Sequence, residues 1–260
     1  DTEKNQGSAK DVRLVVKGIP VFYWPYLRFP VGDERQSGFL YPTIGLSDGA
    51  LDVSVPYYFN LAPNYDLTLT PHFLQDHGTL IEANGRHLSR HFETGISLAH
   101  LSNDKGVLSD SEQADISNGT KTEAEINAYK GKDRWLVNIN QEGGKGQRWF
   151  STIDYNEVSD NDYLNDFDSS TLNTNSDVSL IQKITAGYQF DHWRLEINNQ
   201  QYQILEDDIT RPYKELPEIT LDGEYSFPDY RFGELNIGLE NEWVRFDHSD
   251  ADDAGDTTLV

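Results

Sequence analysis

Apolar and polar residues alternate with a period of two along most of this chain. Leu51, Val53 and Val55, for example, alternate with Asp52 and Ser54. This period is typical of a β-strand that has one apolar face. The pattern predicts an all-β fold with eleven strands, at 38–47, 50–60, 64–76, 79–89, 92–102, 133–142, 147–158, 178–190, 192–206, 216–227 and 233–247.

The connections between these strands fall into two classes. The links after strands two, four, six, eight and ten are short, whereas the links after strands five, seven, nine and eleven are long and acidic. Only the links after strands one and three, which are short, depart from this alternation. Tight turns at one end and long loops at the other are typical of outer-membrane barrels. The runs of about 10 to 14 residues also fit a tilted membrane strand of about 9–11 residues better than a globular strand of about 5–6. We therefore predict a transmembrane antiparallel β-barrel.

The two faces of each strand would then meet different surroundings. Apolar positions are expected to face lipid, namely Val53, Leu67, Leu69, Val137, Ile139, Leu195, Ile197 and Leu221. Polar positions are expected to face a wet lumen, namely Asp66, Glu82, Arg86, Glu196, Asp222 and Glu224. A secreted acidic carbohydrate-binding sandwich would instead bury the first set and solvate the second, and alternation alone leaves that alternative open.

Composition restricts the function further. With 44 acidic and 21 basic residues the net charge is −23, which argues against a nucleic-acid surface. The chain has no cysteine, which removes disulfide and thiolate chemistry. No nucleophile elbow, phosphate-binding glycine loop or distinct carboxylate pair is present, so we expect no enzyme, no catalytic residue, no cofactor and no metal site. The acidic loops serve solubility or, alternatively, meet divalent cations.

The segment GIPVFYWPYLRFPVGDERQSGFLYP, at 18–42, closely resembles the start of the barrel in the LptD family of outer-membrane lipopolysaccharide-assembly proteins. The resemblance continues through 55–73, 134–140 and 154–168. It implies that residues 1–33 end a periplasmic β-jellyroll and form a proline-rich linker, and that 34–260 contribute about the first 11 strands of a larger barrel. Pro20, Pro25 and Pro30 would then act as the hinge that sets the angle between the two domains.

The resemblance also implies a function and a set of partners. In that family, the jellyroll receives lipopolysaccharide from an LptA-like periplasmic bridge protein. The barrel releases it into the outer leaflet through a lateral seam between its first and last strands. An LptE-like lipoprotein plugs the lumen, and the barrel-assembly machinery folds the protein. The expected location is the outer membrane of a Gram-negative bacterium, with the N-terminal part in the periplasm.

Two prolines stand inside the first two predicted strands and match the family's first-strand and second-strand prolines. Proline donates no hydrogen bond to a neighbouring strand, and an unmatched backbone group in hydrocarbon costs several kcal/mol. Weak pairing at Pro42 and Pro56 would therefore lower the cost of parting a lateral gate. The alternative is that both prolines only mark bulges or blunt an edge. A general porin or transporter barrel, the other open interpretation, gives no reason for these prolines.

The loop at 159–177 combines acidic residues with Tyr163, Leu164 and Phe167, which is unusual for a loop that faces only water. The family resemblance implies that this loop folds inward and contacts the lipoprotein plug through these three side chains.

Overall fold

The computed structural model describes residues 6–16, 19–30, 35–47, 50–106, 110–120, 122, 129–167, 178–206, 214–230 and 233–247. These residues form antiparallel strands with two short helices, so the all-β prediction is confirmed. The chain divides into two compact units, the first comprising Asp1–Arg86 and Leu98–Trp135 and the second His87–Ser97 and Leu136–Val260. No helix in the described ranges is both long enough and apolar enough to cross a membrane.

The first unit begins with a hairpin of strands β1 (Gln6–Val16) and β2 (Ile19–Pro30), whose register runs from Gln6 opposite Pro30 to Val16 opposite Ile19. Pro20, Pro25 and Pro30, which we expected in a linker, all lie within β2. Pro30 stands at the end of β2, and Pro20 lies beside a register shift between Leu14 and Val15, positions where proline is tolerated in a sheet. The rest of the predicted linker, up to residue 33, lies outside the described residues. The hinge at the three prolines stays a prediction.

Six more strands of the first unit follow along the chain. They are β3 (Gly38–Phe39), β4 (Thr43–Ser47), β5 (Ala50–Ser54), β6 (Tyr57–Ala62), β7 (Tyr65–Leu74) and β8 (Gly78–Leu88), of which β8 ends with two residues of the second unit. Each of the first two predicted strands is thus interrupted, one at Pro42 and the other at Pro56. Strand β3 pairs with β6 and β4 with β5, while both β5 and β6 pair with β7, which has β8 on its other side. Strand β9 (Phe92–Leu101) is divided between the two units.

The second unit is built from strands that pair with their neighbours in chain order. They are β10 (Arg134–Gly143), β11 (Trp149–Val158), β12 (Ser179–Gln189), β13 (Trp193–Ile204), β14 (Lys214–Tyr230) and β15 (Gly233–Asp247), where β10 begins with two residues of the first unit. Helix α1 (Asp110–Asn118) lies in the loop after β9, and α2 (Tyr163–Asp166) lies in the loop after β11. The predicted alternation of short turns and long loops is confirmed at these positions.

Within each unit, most of the buried polar side chains lie on one face of the strands, together with buried apolar ones such as Leu80, Leu136 and Val158. In the first unit Asp66, Thr70 and Glu82 are buried, whereas Phe73 on the opposite face of β7 is 51% exposed. In the second unit Asn138, Asn156, Thr185 and Asn198 are buried, and the opposite face exposes apolar side chains, among them Ile184, Ile197, Leu221, Ile237, Leu239 and Trp243. A sheet that packs in water shows the reverse distribution, with apolar side chains inside.

Val53 does not have the exposure that we predicted for the apolar face. We expected it to face lipid, but it is only 6% exposed. Its strand lies between two others, and the register places it opposite Ile44 in β4 and Phe73 in β7, so side chains cover it from both sides. Leu67, Leu69, Val137, Ile139 and Leu195 are half-buried, whereas Ile197 and Leu221 are exposed.

Candidate functional site

The two strand prolines lie at a β-bulge between the first two predicted strands. Phe39 stands opposite Tyr57 and Thr43 opposite Ser54, so three residues of one strand face only two of the other. A single hydrogen bond bridges the gap, from the N–H of Leu40 to the carbonyl of Pro56 at 2.9 Å. The β3–β6 ladder below the bulge has only two residue pairs. The geometry thus matches the bulge alternative. It leaves little backbone pairing below the bulge, whereas β4 and β5 pair over five residues above it.

A cluster of charged and hydroxyl side chains holds this segment where the backbone ladder is short. Arg86 donates two hydrogen bonds to the Asp66 carboxylate, from Nε to Oδ1 at 3.0 Å and from Nη2 to Oδ2 at 2.8 Å. Tyr58 donates to the same carboxylate at 3.1 Å, and Arg35 contacts both Asp66 and the Tyr58 hydroxyl. Asn60 then fixes the same segment, because its backbone N–H donates to Ser37 and its side-chain amide donates to the carbonyl of Arg35. Side chains, more than the ladder, therefore hold residues 35–39 against β6 and β7.

A row of aromatic rings in contact connects the N-terminal hairpin with strands β3 and β6. Trp24 in β2 contacts Phe39 in β3 edge-on, with the ring centroids 4.9 Å apart. Phe39 contacts Tyr57 at 4.8 Å, and Tyr57 contacts Phe59 at 4.6 Å. The first two pairs are edge-on, an arrangement that stabilises beyond the burial of area by about 0.5–1.5 kcal/mol each. The position of the hairpin is thereby linked to the pairing of β3 with β6.

Glu82, the second buried carboxylate predicted on the polar face of the first unit, is also paired. Its Oε2 lies 3.2 Å from Nε2 of His72, and the Nδ1 of the same ring lies 3.8 Å from Oδ1 of Asp52. The three polar residues predicted in the first unit, Asp66, Glu82 and Arg86, therefore each take part in an ion pair, although Arg86 itself is largely exposed.

In the second unit, amide and hydroxyl side chains form hydrogen bonds across the polar face. Asn138 donates to Asn156 at 2.6 Å, and Asn156 donates to Asp154 at 2.8 Å. Further along the sheet, Thr185 donates to Asn198 at 2.9 Å, and Asn198 donates to Glu218 at 2.8 Å. The sequence analysis missed these residues. Asn138 and Asn156 stand at polar positions of the alternating pattern, which was the available signal.

The three predicted polar-face residues of the second unit lie toward the other end of the same face. Glu196 accepts a hydrogen bond from Arg194 at 2.9 Å, and Arg194 stands opposite Asp222 in the register. Asp222 is half-buried, whereas Glu224 is exposed. The register of β14 with β15 adds Glu240 and Glu242 to this face, which makes it strongly acidic.

A buried charged cluster lies at the base of the loop after β9. The sequence analysis did not find it. Arg134 and Asp104 both have side chains that are 1% exposed, and Arg134 Nη1 donates to Asp104 Oδ2 at 3.2 Å. His77 Nδ1 lies 3.0 Å from the same carboxylate, and the Tyr129 ring stacks on the Arg134 guanidinium at 4.5 Å. Burial would raise the pKa of Asp104. Hydrogen bonds from His77, the Gly106 N–H and Arg134 outweigh this and hold that pKa below its ordinary value.

Two of the three loop side chains predicted to contact a plug are buried. Tyr163 and Phe167 are 1% and 3% exposed and contact each other edge-on at 4.9 Å. A plug contact through these two rings stays a prediction. Leu164 between them is half-buried, and a plug contact through it stays a prediction. Residues 168–177 of this loop lie outside the described residues.

Among the residues that the structure describes, no group of three or more His, Asp or Glu side chains is arranged to hold a metal ion. The carboxylates of these clusters are instead paired with Arg, His, Asn and Tyr side chains. Their arrangement serves to satisfy polar groups on one face of a sheet whose other face is apolar.

Comparison with known proteins identifies relatives for the whole chain. The family model described as "LptD: LPS transport system D" matches residues 132–258. The LPS-assembly protein LptD of Saccharophagus degradans is 40% identical over all of this chain and 30% of its own length. The proteins of the same name from Hahella chejuensis and Pseudomonas aeruginosa are 36% and 37% identical over 100% and 95% of the chain. The chain spans 24–31% of the length of these three relatives.

Proposed function

Because the chain belongs to the LptD family, we propose that it forms the leading part of an outer-membrane translocon that inserts lipopolysaccharide into the outer leaflet. In this proposal, strands β3–β15 belong to a transmembrane barrel, and the β1–β2 hairpin ends a periplasmic jellyroll. The protein resides in the outer membrane of a Gram-negative bacterium, with the hairpin in the periplasm. It acts by transport and assembly, without catalysis.

The observation that carries this proposal is the inverted distribution of polarity. Exposed Ile197, Leu221 and Ile237 on one face would be costly in water over so large an area, whereas they suit the acyl chains of a bilayer. The opposite face carries hydrogen-bonded amides and ion pairs, which suit a lumen filled with water. A soluble carbohydrate-binding sandwich requires the reverse, so the distribution disfavours that alternative.

The bulge at Pro42 and Pro56 supports a lateral gate at the leading strand. Two residue pairs and one further backbone hydrogen bond join the lower part of this strand to its neighbour, whereas five pairs join the part above the bulge. Little backbone pairing must therefore be broken to part the lower end of the strand. Acyl chains would leave through this seam while the phosphorylated sugars pass along the polar face. Pro20, Pro25 and Pro30 keep the hairpin strand stiff and orient it toward the seam.

The partners follow from the same arrangement. The hairpin would receive lipopolysaccharide that an LptA-like bridge protein delivers to the jellyroll. An LptE-like lipoprotein would fill the lumen and touch the loop around Leu164, which Tyr163 and Phe167 hold in place. The barrel-assembly machinery would fold the complete protein. A photo-crosslinker at Leu164 is expected to capture the lipoprotein, whereas one at exposed Leu221 on the apolar face is not.

Site-specific photo-crosslinking of the full-length protein in cells tests the gate. Tyr41 is 96% exposed in the bulge of the first unit, and Tyr188 is 38% exposed on the apolar face of the second unit. A crosslinker that replaces Tyr41 is expected to capture lipopolysaccharide, and one that replaces Tyr188 serves as the matched control. Capture from polar-face positions such as Glu82 without capture at Tyr41 would favour a general porin and would contradict the gate.

A further inference from the structure

A cavity in the second unit lies between two short turns at the same end of the sheet. The turn between β8 and β9 and the turn between β10 and β11 are joined by a hydrogen bond from the N–H of Gly144 to the carbonyl of His91 at 2.8 Å. The cavity between them has a volume of ≈ 340 Å³, and Leu88, Phe92, Phe150 and the charged side chains of both turns line it. This volume is within the range of small-molecule sites.

One wall of the cavity is packed closely around a glycine. A Cβ on Gly143 would lie 2.9 Å from Cε1 of Phe92 and would overlap the Ser151 hydroxyl. Phe92 therefore packs over Gly143 and reaches Trp149, with the two ring centroids 5.3 Å apart. The Nδ1 of His91, which also lines the cavity, is buried and has no hydrogen-bond partner among the described residues. A buried polar atom of this kind needs an explanation, and a bound polar group is one.

The charged residues around the cavity carry both signs. Arg90 and Lys145 supply two cations, and Glu93 and Glu142 supply two carboxylates. All four side chains belong to exposed residues, so each charge is free to turn toward a ligand. A simple anion would be attracted by the first pair and repelled by the second. A molecule with both a phosphate and a primary ammonium group satisfies both pairs.

The position of the cavity indicates which molecule of that kind would reach it. Leu88 and Phe92 at its rim are 56% and 42% exposed. Further aromatic residues cluster at the same end of the strands, namely Trp149, Tyr188, Phe190 and Trp193, with Trp149 opposite Tyr188 in the register. Rings of this kind gather at the head-group level of a bilayer. The cavity then lies at the depth of phospholipid head groups, next to the face that would meet their acyl chains.

We propose that this cavity binds the head group of a zwitterionic phospholipid of the phosphatidylethanolamine type. The phosphate lies between Arg90, Lys145 and His91, the ammonium group meets Glu93 and Glu142, and the acyl chains run along Phe92 on the apolar face. The membrane setting rests on the proposed barrel function, but the head-group selectivity is a property of this cavity alone. A lipid bound here would lie at the end of the barrel strands where the short turns are.

Native mass spectrometry of the full-length protein, freed of lipid and kept in detergent, tests the selectivity. The probes are dihexanoyl phosphatidylethanolamine, dihexanoyl phosphatidylglycerol and inorganic phosphate. Binding of the ethanolamine lipid is expected to weaken at least about tenfold in the Arg90→Gln/Lys145→Gln variant, since two charge-assisted contacts are lost. In the Glu93→Gln/Glu142→Gln variant, the preference for the ethanolamine lipid over the glycerol lipid is expected to disappear.

Arg148→Gln is the matched control, because Arg148 lies in the same turn and pairs with Asp191 at 2.7 Å but does not line the cavity. Equal loss of binding in Arg148→Gln and in the double cation variant would overturn the proposal. Complete displacement of the lipid by millimolar phosphate would also overturn it, since the site would then be one for free phosphate.

The proposed barrel function is tested separately by quenching tryptophan fluorescence with lipids that are brominated in the middle of their acyl chains. Trp135, Trp193 and Trp243 all lie on strands, and quenching is expected for the full-length protein in vesicles whichever head group is used. Absence of quenching would contradict the membrane barrel. Quenching, together with no preference of the unsubstituted protein for the ethanolamine lipid in mass spectrometry, would overturn only the lipid site.

Discussion

Arg86 in β8 and Asp66 in β7 form a two-pronged ion pair, with Nε to Oδ1 at 3.0 Å and Nη2 to Oδ2 at 2.8 Å. The carboxylate is buried, and Tyr58 and Arg35 donate to it from two further segments. One side chain therefore joins β6, β7, β8 and the segment before β3. This contact holds the leading edge of the sheet at the point where the β3–β6 ladder has only two pairs.

Replacing Asp66 with Ala is expected to lower the unfolding free energy by about 1–2 kcal/mol, the lower part of the range for hydrogen bonds to charged groups, because the guanidinium partners are solvated. Urea unfolding of the full-length protein in detergent measures this. Asp191→Ala, which breaks the exposed pair with Arg148, is expected to cost less than about 1 kcal/mol. Equal losses in the two variants would contradict a special role for Asp66.

The buried carboxylate of Asp104 is expected to make stability depend on pH. Its pKa is lower in the folded protein than in the unfolded chain. Its contribution is therefore complete above the unfolded value of about 3.9 and is lost as the pH falls through the lower folded value. Unfolding free energies measured from neutral pH downward should fall less steeply for Asp104→Asn than for the wild type.

Asp133→Asn is the control for the Asp104 experiment, because Asp133 lies near the same loop base with a side chain that is 59% exposed. Its pH profile is expected to follow the wild type. A stronger variant, Asp104→Ala, leaves Arg134 buried without this acceptor, which should cost about 3–5 kcal/mol at neutral pH. A loss below about 1 kcal/mol would show that the cluster does not bear on stability.

Placing a charge on the apolar face should destabilise the protein more than reversing a charge on the polar face. Ile197 is 40% exposed on the apolar face of β13, and Glu196 precedes it on the polar face. In a bilayer, Ile197→Arg is expected to destabilise by about 2–4 kcal/mol near the midplane, whereas Glu196→Arg should change stability by about 1 kcal/mol or less. Unfolding from lipid vesicles measures both variants. A larger cost for the Glu196 variant would contradict the assignment of the faces.

The turn between β10 and β11 contains two glycines that differ in their surroundings. Gly144 has φ +85° and a Cβ there would overlap the Trp149 carbonyl oxygen, whereas Gly146 has φ +73° with no atom within 4 Å of such a Cβ. Gly146→Ala should therefore cost only the left-handed backbone strain of about 1–2 kcal/mol. Gly144→Ala should cost more, since the backbone must also move. Thermal unfolding of the two variants compares them, and equal midpoints would contradict the overlap.

Much of the strand order was predictable because period-two alternation is a local property. Strand β7, for instance, lies at Tyr65–Leu74 inside the predicted 64–76, and β11 ends at Val158 as predicted. The interruption at Pro42 and Pro56 was also open to prediction, since proline removes a ladder donor wherever it stands. That the result is a bulge with three residues against two depends on the register between two strands, which no single segment specifies.

The charged clusters were not predictable in the same way. His77 and Arg134 are 27 and 30 residues from Asp104, so no local spacing could have shown that they meet. Tyr163 and Phe167 were recognised as unusual, but whether their rings turn toward a partner or toward their own chain depends on how helix α2 packs. For the same reason Pro25 was assigned to a linker, although it lies within strand β2.

The amino-acid sequence by itself determined that the chain forms long antiparallel strands with one apolar and one polar face, because both properties follow from which residue types alternate along each strand. Only the tertiary structure decided which face is covered, which carboxylates find partners and where two turns enclose a cavity. These features arise from contacts between residues far apart in the chain, and the free energy of such contacts depends on register and packing rather than on any local pattern.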